Sequence, residues 1–238
     1  MRPVLAVVPA RGGSRGIERK NLQRIDGKTL VALAADVALR TGGIDVAVLS
    51  TDDPEIASEG LNHGLSVFFI RPQYLATDEA DSFAVWRHAL LATEAELGVT
   101  FGGSVLLEPT SPMRTPGDVQ GALEILIARS AGCVLTLSRT PAHFSPHKSF
   151  VLREDSRVDY LTSDGARFAR RQSVPRLYHR NGLCYAATRE WLMTASDLVG
   201  NTTIAMITER PVVNIDDPFD MELAQWLMTR DRDTETSD

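Results

Sequence analysis

The chain has 238 residues, 43% of them hydrophobic and 17 of them glycine, which is the balance of one ordinary globular domain with room for an insertion. Its 25 basic and 31 acidic residues leave a net charge of −6, which argues against a nucleic-acid binder but allows a phosphorylated small ligand held by a local basic cluster. Two cysteines without C-x-x-C spacing and no apolar run near ~18 residues argue against a disulfide framework, a cysteine zinc site and a membrane span.

In chain order, Val4–Val8 reads as a buried strand, followed by a glycine-rich basic loop. Thr29–Arg40 has apolar residues at helical spacing, and Val46–Leu49 is a second strand. Asp53-Pro54 is a helix start, and the helix it opens runs to His63. Val67–Ile70 predicts a third strand, Ser82–Leu97 a helix behind Asp81, Val105–Leu107 a fourth strand, and Pro116–Arg129 a helix behind Thr115. Val134–Leu137 gives a fifth strand and holds the first cysteine's neighbours, so Cys133 reads as a buried thiol, as does Cys184 in Asn181–Thr188. From Ala142 to Val174 the chain turns polar, with turn residues at Ser145-Pro146, Glu154-Asp155 and Ser163-Asp164-Gly165, an excursion that predicts a hairpin arm. Arg210–Ile215 predicts a short strand and Asp217–Met228 a closing helix, with residues 231–238 a polar tail. Alternating strand and helix predicts an α/β fold: a mostly parallel sheet covered by helices on both faces, one domain over residues 1–230 with an arm at about 142–174. A short apolar N-terminal stretch with no cleavage site and no spanning segment predicts a cytoplasmic protein that meets no membrane.

Ligands of open α/β sheets bind outside the carboxyl ends of the strands. After the first strand comes Pro9-Ala-Arg-Gly-Gly-Ser-Arg-Gly-Ile-Glu-Arg-Lys-Asn21, with three glycines, three arginines and a lysine in thirteen residues. Glycines let backbone N–H groups approach an anion, and this basic density in an acidic chain predicts a polyphosphate cradle. Gly12-Gly-Ser-Arg-Gly16 also matches G-x-S-x-G, but a nucleophile elbow needs a helix directly after the serine, and Glu18-Arg-Lys-Asn21 leads instead to another short segment. Gly27-Lys28-Thr29 lacks the earlier glycine of a P-loop, since Leu22 stands there. After the fourth strand, Glu108-Pro-Thr-Ser-Pro-Met-Arg114 puts an acid and an arginine on a proline-stiffened loop. In Asn214-Ile-Asp-Asp-Pro218, Asp217 reads as a helix cap and Asp216 as a carboxylate suited to Mg²⁺ beside phosphate oxygens. The five histidines show no metal spacing.

These blocks together resemble the acylneuraminate cytidylyltransferases, whose relatives act on legionaminic and pseudaminic acids. The resemblance runs nearly the whole chain: Pro9-Ala-Arg-Gly-Gly-Ser-Arg-Gly-Ile17, Arg19-Lys-Asn-Leu22, Ser50-Thr-Asp-Asp53, Arg71-Pro72, Leu75-Ala-Thr-Asp78, Ser82, Leu107-Glu-Pro-Thr-Ser-Pro-Met-Arg114, Arg171-Gln172, Asn181-Gly182 with Tyr185, and Ile215-Asp-Asp-Pro218. It implies a Rossmann-like nucleotidyltransferase that joins CTP to an acidic nine-carbon 2-keto sugar and releases pyrophosphate. By position, Arg11, Ser14 and Lys20 would hold the triphosphate with Ala10 and Gly13 beside them, and Asn21, Arg71 and Ser82 would address the nucleoside. Glu108, Lys148, Arg171, Asn181 and Tyr185 would line the sugar site, and Asp216 with Asn214 would bind Mg²⁺. Arg11, Lys20 and Asp216 are then the expected catalytic groups, in a homodimer whose arms pair across the two-fold. The chain departs from the family pattern twice, with Glu108 where glutamine is usual and Asn214 where a second aspartate is usual. Two alternatives stay open: a cytidylyltransferase for an eight-carbon ulosonic acid or a phosphonate, and a weakened nucleotide-binding protein.

Overall fold

The computed structural model describes residues 3–168 and 170–235, without side chains at 171 and 231–235. β1 (Val4–Pro9) leads through the glycine-rich loop to a two-residue hairpin, β2 (Arg24–Ile25) and β3 (Lys28–Thr29). Asp26 and Gly27 both have positive φ there, the backbone that a tight hairpin turn requires. Thr29 caps α1 (Leu30–Arg40), which leads to β4 (Val46–Ser50). Asp53 accepts from the N–H groups of Glu55 and Ile56 to start α2 (Pro54–Asn62), and Asp81 accepts from Phe83 to start α3 (Ser82–Leu97). β5 (Gly103–Leu106) precedes α4 (Pro116–Ala128), whose Thr115 and Asp118 form a reciprocal capping box. The three expected helix starts thus fall on the side chains that mark them.

The remaining elements are β6 (Cys133–Arg139), β7 (Phe150–Leu152), β8 (Val158–Tyr160), β9 (Tyr178–Thr188), α5 (Arg189–Thr194), β10 (Thr203–Thr208) and α6 (Pro218–Glu235). Six strands make one sheet in the order β10-β6-β9-β5-β1-β4. β1 pairs in parallel with both β4 and β5, and β9 is antiparallel to β5. One face packs Ala6, Val8, Val105, Val134 and Ala186 against Val31 and Ala35 of α1 and Val119 and Leu123 of α4. The other face meets α3, where the buried Trp86 indole N–H donates to Ser104 Oγ at 2.8 Å. The fold is a Rossmann-like α/β sheet, mostly parallel at its core.

Two expected strands are absent. Val67–Ile70 is loop: only Ser66 bridges to Val48, after which Val67 turns into the core and Phe69 meets the ring of His88 edge-on. Packing these apolar side chains pulls the backbone off the sheet edge. Arg210–Ile215 is also loop, because Pro211 offers no N–H and Arg210 is tied to Asp118; the strand lies earlier, at β10. The closing helix outlasts its expected end at Met228 and takes in residues assigned to the tail, 231–235. Residues 236–238 of that tail lie outside the described residues.

The described chain divides into two compact units, with residues 137–180 and 207–209 forming the second. In that unit β7 and β8 form an antiparallel hairpin with Phe150 opposite Tyr160 and their rings 4.9 Å apart. Phe144, Phe150, Leu152, Val158 and Leu161 are all exposed, Leu152 by 70%.

Candidate active site

The carboxyl ends of the parallel strands converge on a cavity of about 340 Å³ in the first unit. Its wall takes Arg11, Ser14, Arg15, Lys20 and Asn21 from the loop after β1, Arg71 from the loop beyond β4, and Ser82 from α3. Glu108 enters from the loop after β5, and Asn214 and Asp216 from the loop before α6. Nine of the sequence-predicted residues therefore share one wall.

The glycine-rich loop is held in shape from below. The Gly12 N–H donates to Asp52 Oδ1 at 3.0 Å, and the Asn21 amide donates to the Arg11 carbonyl at 2.9 Å. Arg19 sits in the left-handed region at φ 49° with its guanidinium on Asp53 and Glu55, which turns the chain toward Lys20. A Cβ at Gly16 would stand 2.2 Å from the backbone oxygen of Asp216, so only glycine lets this loop press against the loop before α6. Across that contact Lys20 Nζ donates to the Ile215 carbonyl at 2.8 Å and lies 3.3 Å from Asp216 Oδ1. Asp217 and Asp220 cap α6 reciprocally, which leaves the Asp216 carboxylate, 77% exposed, directed at the cavity. The reading of Asp217 as the cap is the one the helix adopts.

Asp78, from the loop before α3, receives Arg11 Nη2 on one oxygen and Arg15 Nε on the other. The Arg11 hydrogen bond, foremost among these contacts, holds its carboxyl below the usual carboxylate range. Arg71 is buried and donates to both the hydroxyl and the carbonyl of Ser50. Burial lowers its guanidinium to about 10, against the pull of Asp52, so it stays charged at neutral pH. Arg114 is buried as well and donates to the backbone carbonyls of Glu108, Gly182 and Leu183, tying the β5 loop to β9. Burial lowers it to about 10, while Glu108 and Asp118 oppose the shift.

Four further predicted residues of the same unit stand away from the cavity wall. Ala10 is buried with its N–H on the Ser50 carbonyl, and Gly13 lines an adjoining cavity with Arg11, Ser14, Arg15 and Asp78. Asn181 and Tyr185 are buried on β9; the Asn181 side chain accepts from the Leu183 N–H, and Tyr185 is in register with Leu106. Lys148 and Arg171 belong to the second unit, in the 3-10 turns Pro146–Lys148 and Arg171–Ser173. Asp52, Asp78 and Arg114 were not among the predicted site residues. Asp78 closes the quoted Leu75-Ala-Thr-Asp block and Arg114 closes the Glu108 block, so their signal was position within a motif.

A family model described as cytidylyltransferase matches residues 5–190. The chain belongs to this cytidylyltransferase family. It is a nucleotidyltransferase enzyme, and its curated relatives are consistent with that membership. It is 30% identical over 229 residues to post-translational flagellin modification protein B of Campylobacter coli, with 96% of each chain covered. It is 29% identical to the CMP-N,N'-diacetyllegionaminic acid synthase of Campylobacter jejuni, again with 96% of each covered. To the N-acylneuraminate cytidylyltransferase of Escherichia coli it is 28% identical, over 93% of this chain and 51% of that one. Among solved structures, a CMP:2-keto-3-deoxy-manno-octonic acid synthetase complexed with CTP superposes with a TM-score of 0.70, covering 97% of this cytidylyltransferase and all of that chain at 19% identity. That likeness establishes the shared fold.

Among the described residues no group of three or more His, Cys, Asp or Glu side chains is arranged to hold a metal ion, and no helix is long and apolar enough to cross a membrane. The Asp216 carboxylate and the Asn214 amide oxygen, which lies 3.4 Å from Ser111 Oγ, line the same wall. One carboxylate and one neutral oxygen suit Mg²⁺, which takes most of its ligands from water and substrate phosphates. Both thiols are buried and raised to about 12 by that burial, which leaves Cys133 and Cys184 inert as nucleophiles.

Proposed function

We propose that this cytidylyltransferase transfers CMP from CTP to the anomeric hydroxyl of an acidic, nonulosonate-type 2-keto sugar and releases pyrophosphate. The observation that carries the reading is the cavity whose wall holds Arg11, Ser14 and Lys20 of the glycine-rich loop together with Asp216, Arg71 and Ser82; Arg71 and Ser82 are the groups we assign to the nucleoside. The family membership and the nonulosonate names of its relatives support the same chemistry.

The sugar hydroxyl attacks the α-phosphorus directly, and the bond to the bridging oxygen of pyrophosphate breaks. The described cavity wall offers no histidine or cysteine, in keeping with a route that needs no covalent enzyme intermediate. Catalysis then consists of positioning and charge neutralisation. Arg11 and Lys20 offset negative charge on the phosphates, with Ser14 and the Gly13 backbone as further donors. Asp216, with Asn214 beside it, would hold Mg²⁺, which when bound neutralises phosphate charge and orients the leaving group. Lys20, already 3.3 Å from Asp216, pairs with that carboxylate and helps to aim it. Glu108 is the cavity group for the acceptor. Ionised, it only accepts hydrogen bonds, so it favours a sugar that presents a hydroxyl or an amine. Asn181 and Tyr185 complete the proposed acceptor set within the first unit. We assign the exposed apolar hairpin β7–β8 to contact with a second copy of the chain, giving a cytoplasmic homodimer.

Pyrophosphate release from CTP, measured with Mg²⁺ across a panel of nonulosonic acids, an eight-carbon ulosonic acid and a phosphonate, tests the reading. Release is expected with a nonulosonate, and the sugar preference reports on Glu108. Release only with the shorter acid or the phosphonate reassigns the acceptor. CTP binding without turnover on any of them overturns the enzymatic proposal.

A further inference from the structure

The loop before α3 puts a negative charge where the proposed reaction would put phosphate. Asp78 takes Arg11 Nη2 on Oδ1 and Arg15 Nε on Oδ2. Two guanidinium groups converging on one carboxylate reproduce the way arginines hold a phosphate. The local backbone does not need this side chain: α3 is capped by Asp81, and the turn Thr77–Ala80 closes through backbone atoms. Arg15 is otherwise 81% exposed on its side chain, so the pair is cheap to break. Arg11, Ser14, Arg15, Thr77 and Asp78 also line both the 340 Å³ cavity and an adjoining one of about 540 Å³, so the bridge stands where the two meet.

We propose that Asp78 is an internal stand-in for the substrate's polyphosphate: it occupies the Arg11–Arg15 cradle in the empty enzyme and is displaced when a triphosphate enters. This rests on the assignment of the Arg11–Asn21 loop as the triphosphate cradle. Displacement sets a threshold. A ligand with several phosphate oxygens recovers both arginines, whereas one with a single phosphate does not, so the site selects CTP over CMP. When pyrophosphate leaves, Asp78 takes the arginines back and opposes its return.

Titration calorimetry of the full chain with CTP, CMP and inorganic pyrophosphate, on wild type, Asp78→Asn, Asp78→Glu and Arg11→Ala, tests this. The asparagine variant is expected to bind CTP and pyrophosphate about threefold to tenfold more tightly, the scale of two exposed ion pairs. CMP affinity should change little, Asp78→Glu should behave as wild type, and inhibition of turnover by pyrophosphate should strengthen in Asp78→Asn by the same factor. Loss of a nearby negative charge alone would tighten CMP as well, so the sparing of CMP is what marks direct competition for the two arginines. CTP and pyrophosphate binding that is unchanged or weaker in Asp78→Asn overturns the stand-in role while leaving the cradle intact. Pyrophosphate binding that is the same in Arg11→Ala as in wild type removes the cradle assignment itself.

Discussion

Arg11 reaches the cavity from a backbone pinned on both sides, by Asp52 through the Gly12 N–H and by Asn21 through the Arg11 carbonyl. Such a backbone keeps the guanidinium at the cavity wall when it exchanges Asp78 for phosphate. Arg11→Ala is therefore expected to lower kcat by ~10²–10³, the scale of one lost oxyanion donor, with the circular-dichroism spectrum unchanged. Turnover within a few-fold of wild type would remove Arg11 from the machinery. Asp216 and Asn214 separate by charge: Asp216→Ala should abolish activity, whereas Asn214→Asp should keep it and lower the Mg²⁺ concentration giving half-maximal rate, read from Mg²⁺ titrations of initial velocity. An Mg²⁺ response that survives Asp216→Ala would move the metal elsewhere. At this scale the sequence displays charge density and glycine content well, because both are local. The roles of Asp52, Asp78 and Arg114 were not legible, because each exists only against a partner 40 or more residues away or through several backbone carbonyls at once.

Arg114 shows what the loops between elements depend on. Its guanidinium joins the loop after β5, which carries Glu108, to the middle of β9 at Gly182 and Leu183. Arg114→Met keeps bulk but leaves three carbonyls without their donor. Urea unfolding should show about 3 kcal/mol of lost stability, since buried unpaired groups cost ~1–3 kcal/mol each and some will find water. A loss below about 1 kcal/mol would mean that the carbonyls find other partners. Helix starts were legible because caps are written in adjacent residues, as Asp53-Pro54 and Thr115-Pro116 show. Val67–Ile70 and Arg210–Ile215 misled because an apolar run does not say whether its backbone pairs or its side chains merely pack, a choice settled here by distant partners such as His88 and Asp118.

Over the whole molecule, the α/β class follows from the alternation of elements, and the hairpin between β7 and β8 was legible as a break in that alternation. Its exposed apolar side chains predict self-association: light scattering should give a dimer, and Leu152→Asp with Val158→Asp should shift it to a monomer at micromolar concentration. A monomeric wild type would leave those side chains without their proposed cover. The strand order was not legible, and it has a consequence for how the chain assembles. β9 (Tyr178–Thr188) lies between β5 and β6, both of which end well before it, β6 at Arg139 and β5 at Leu106. Until β9 is made, β5 and β6 have no common neighbour, and each presents an open edge. A ribosome-bound chain therefore holds two separate pieces, β4-β1-β5 and the α4–β6 segment, that join only when a late strand slides between them. That step closes a long loop and sets a slow folding rate. It also marks the half-made sheet as the species that chaperones must shield, and it means that a truncation before residue 188 removes the middle of the molecule.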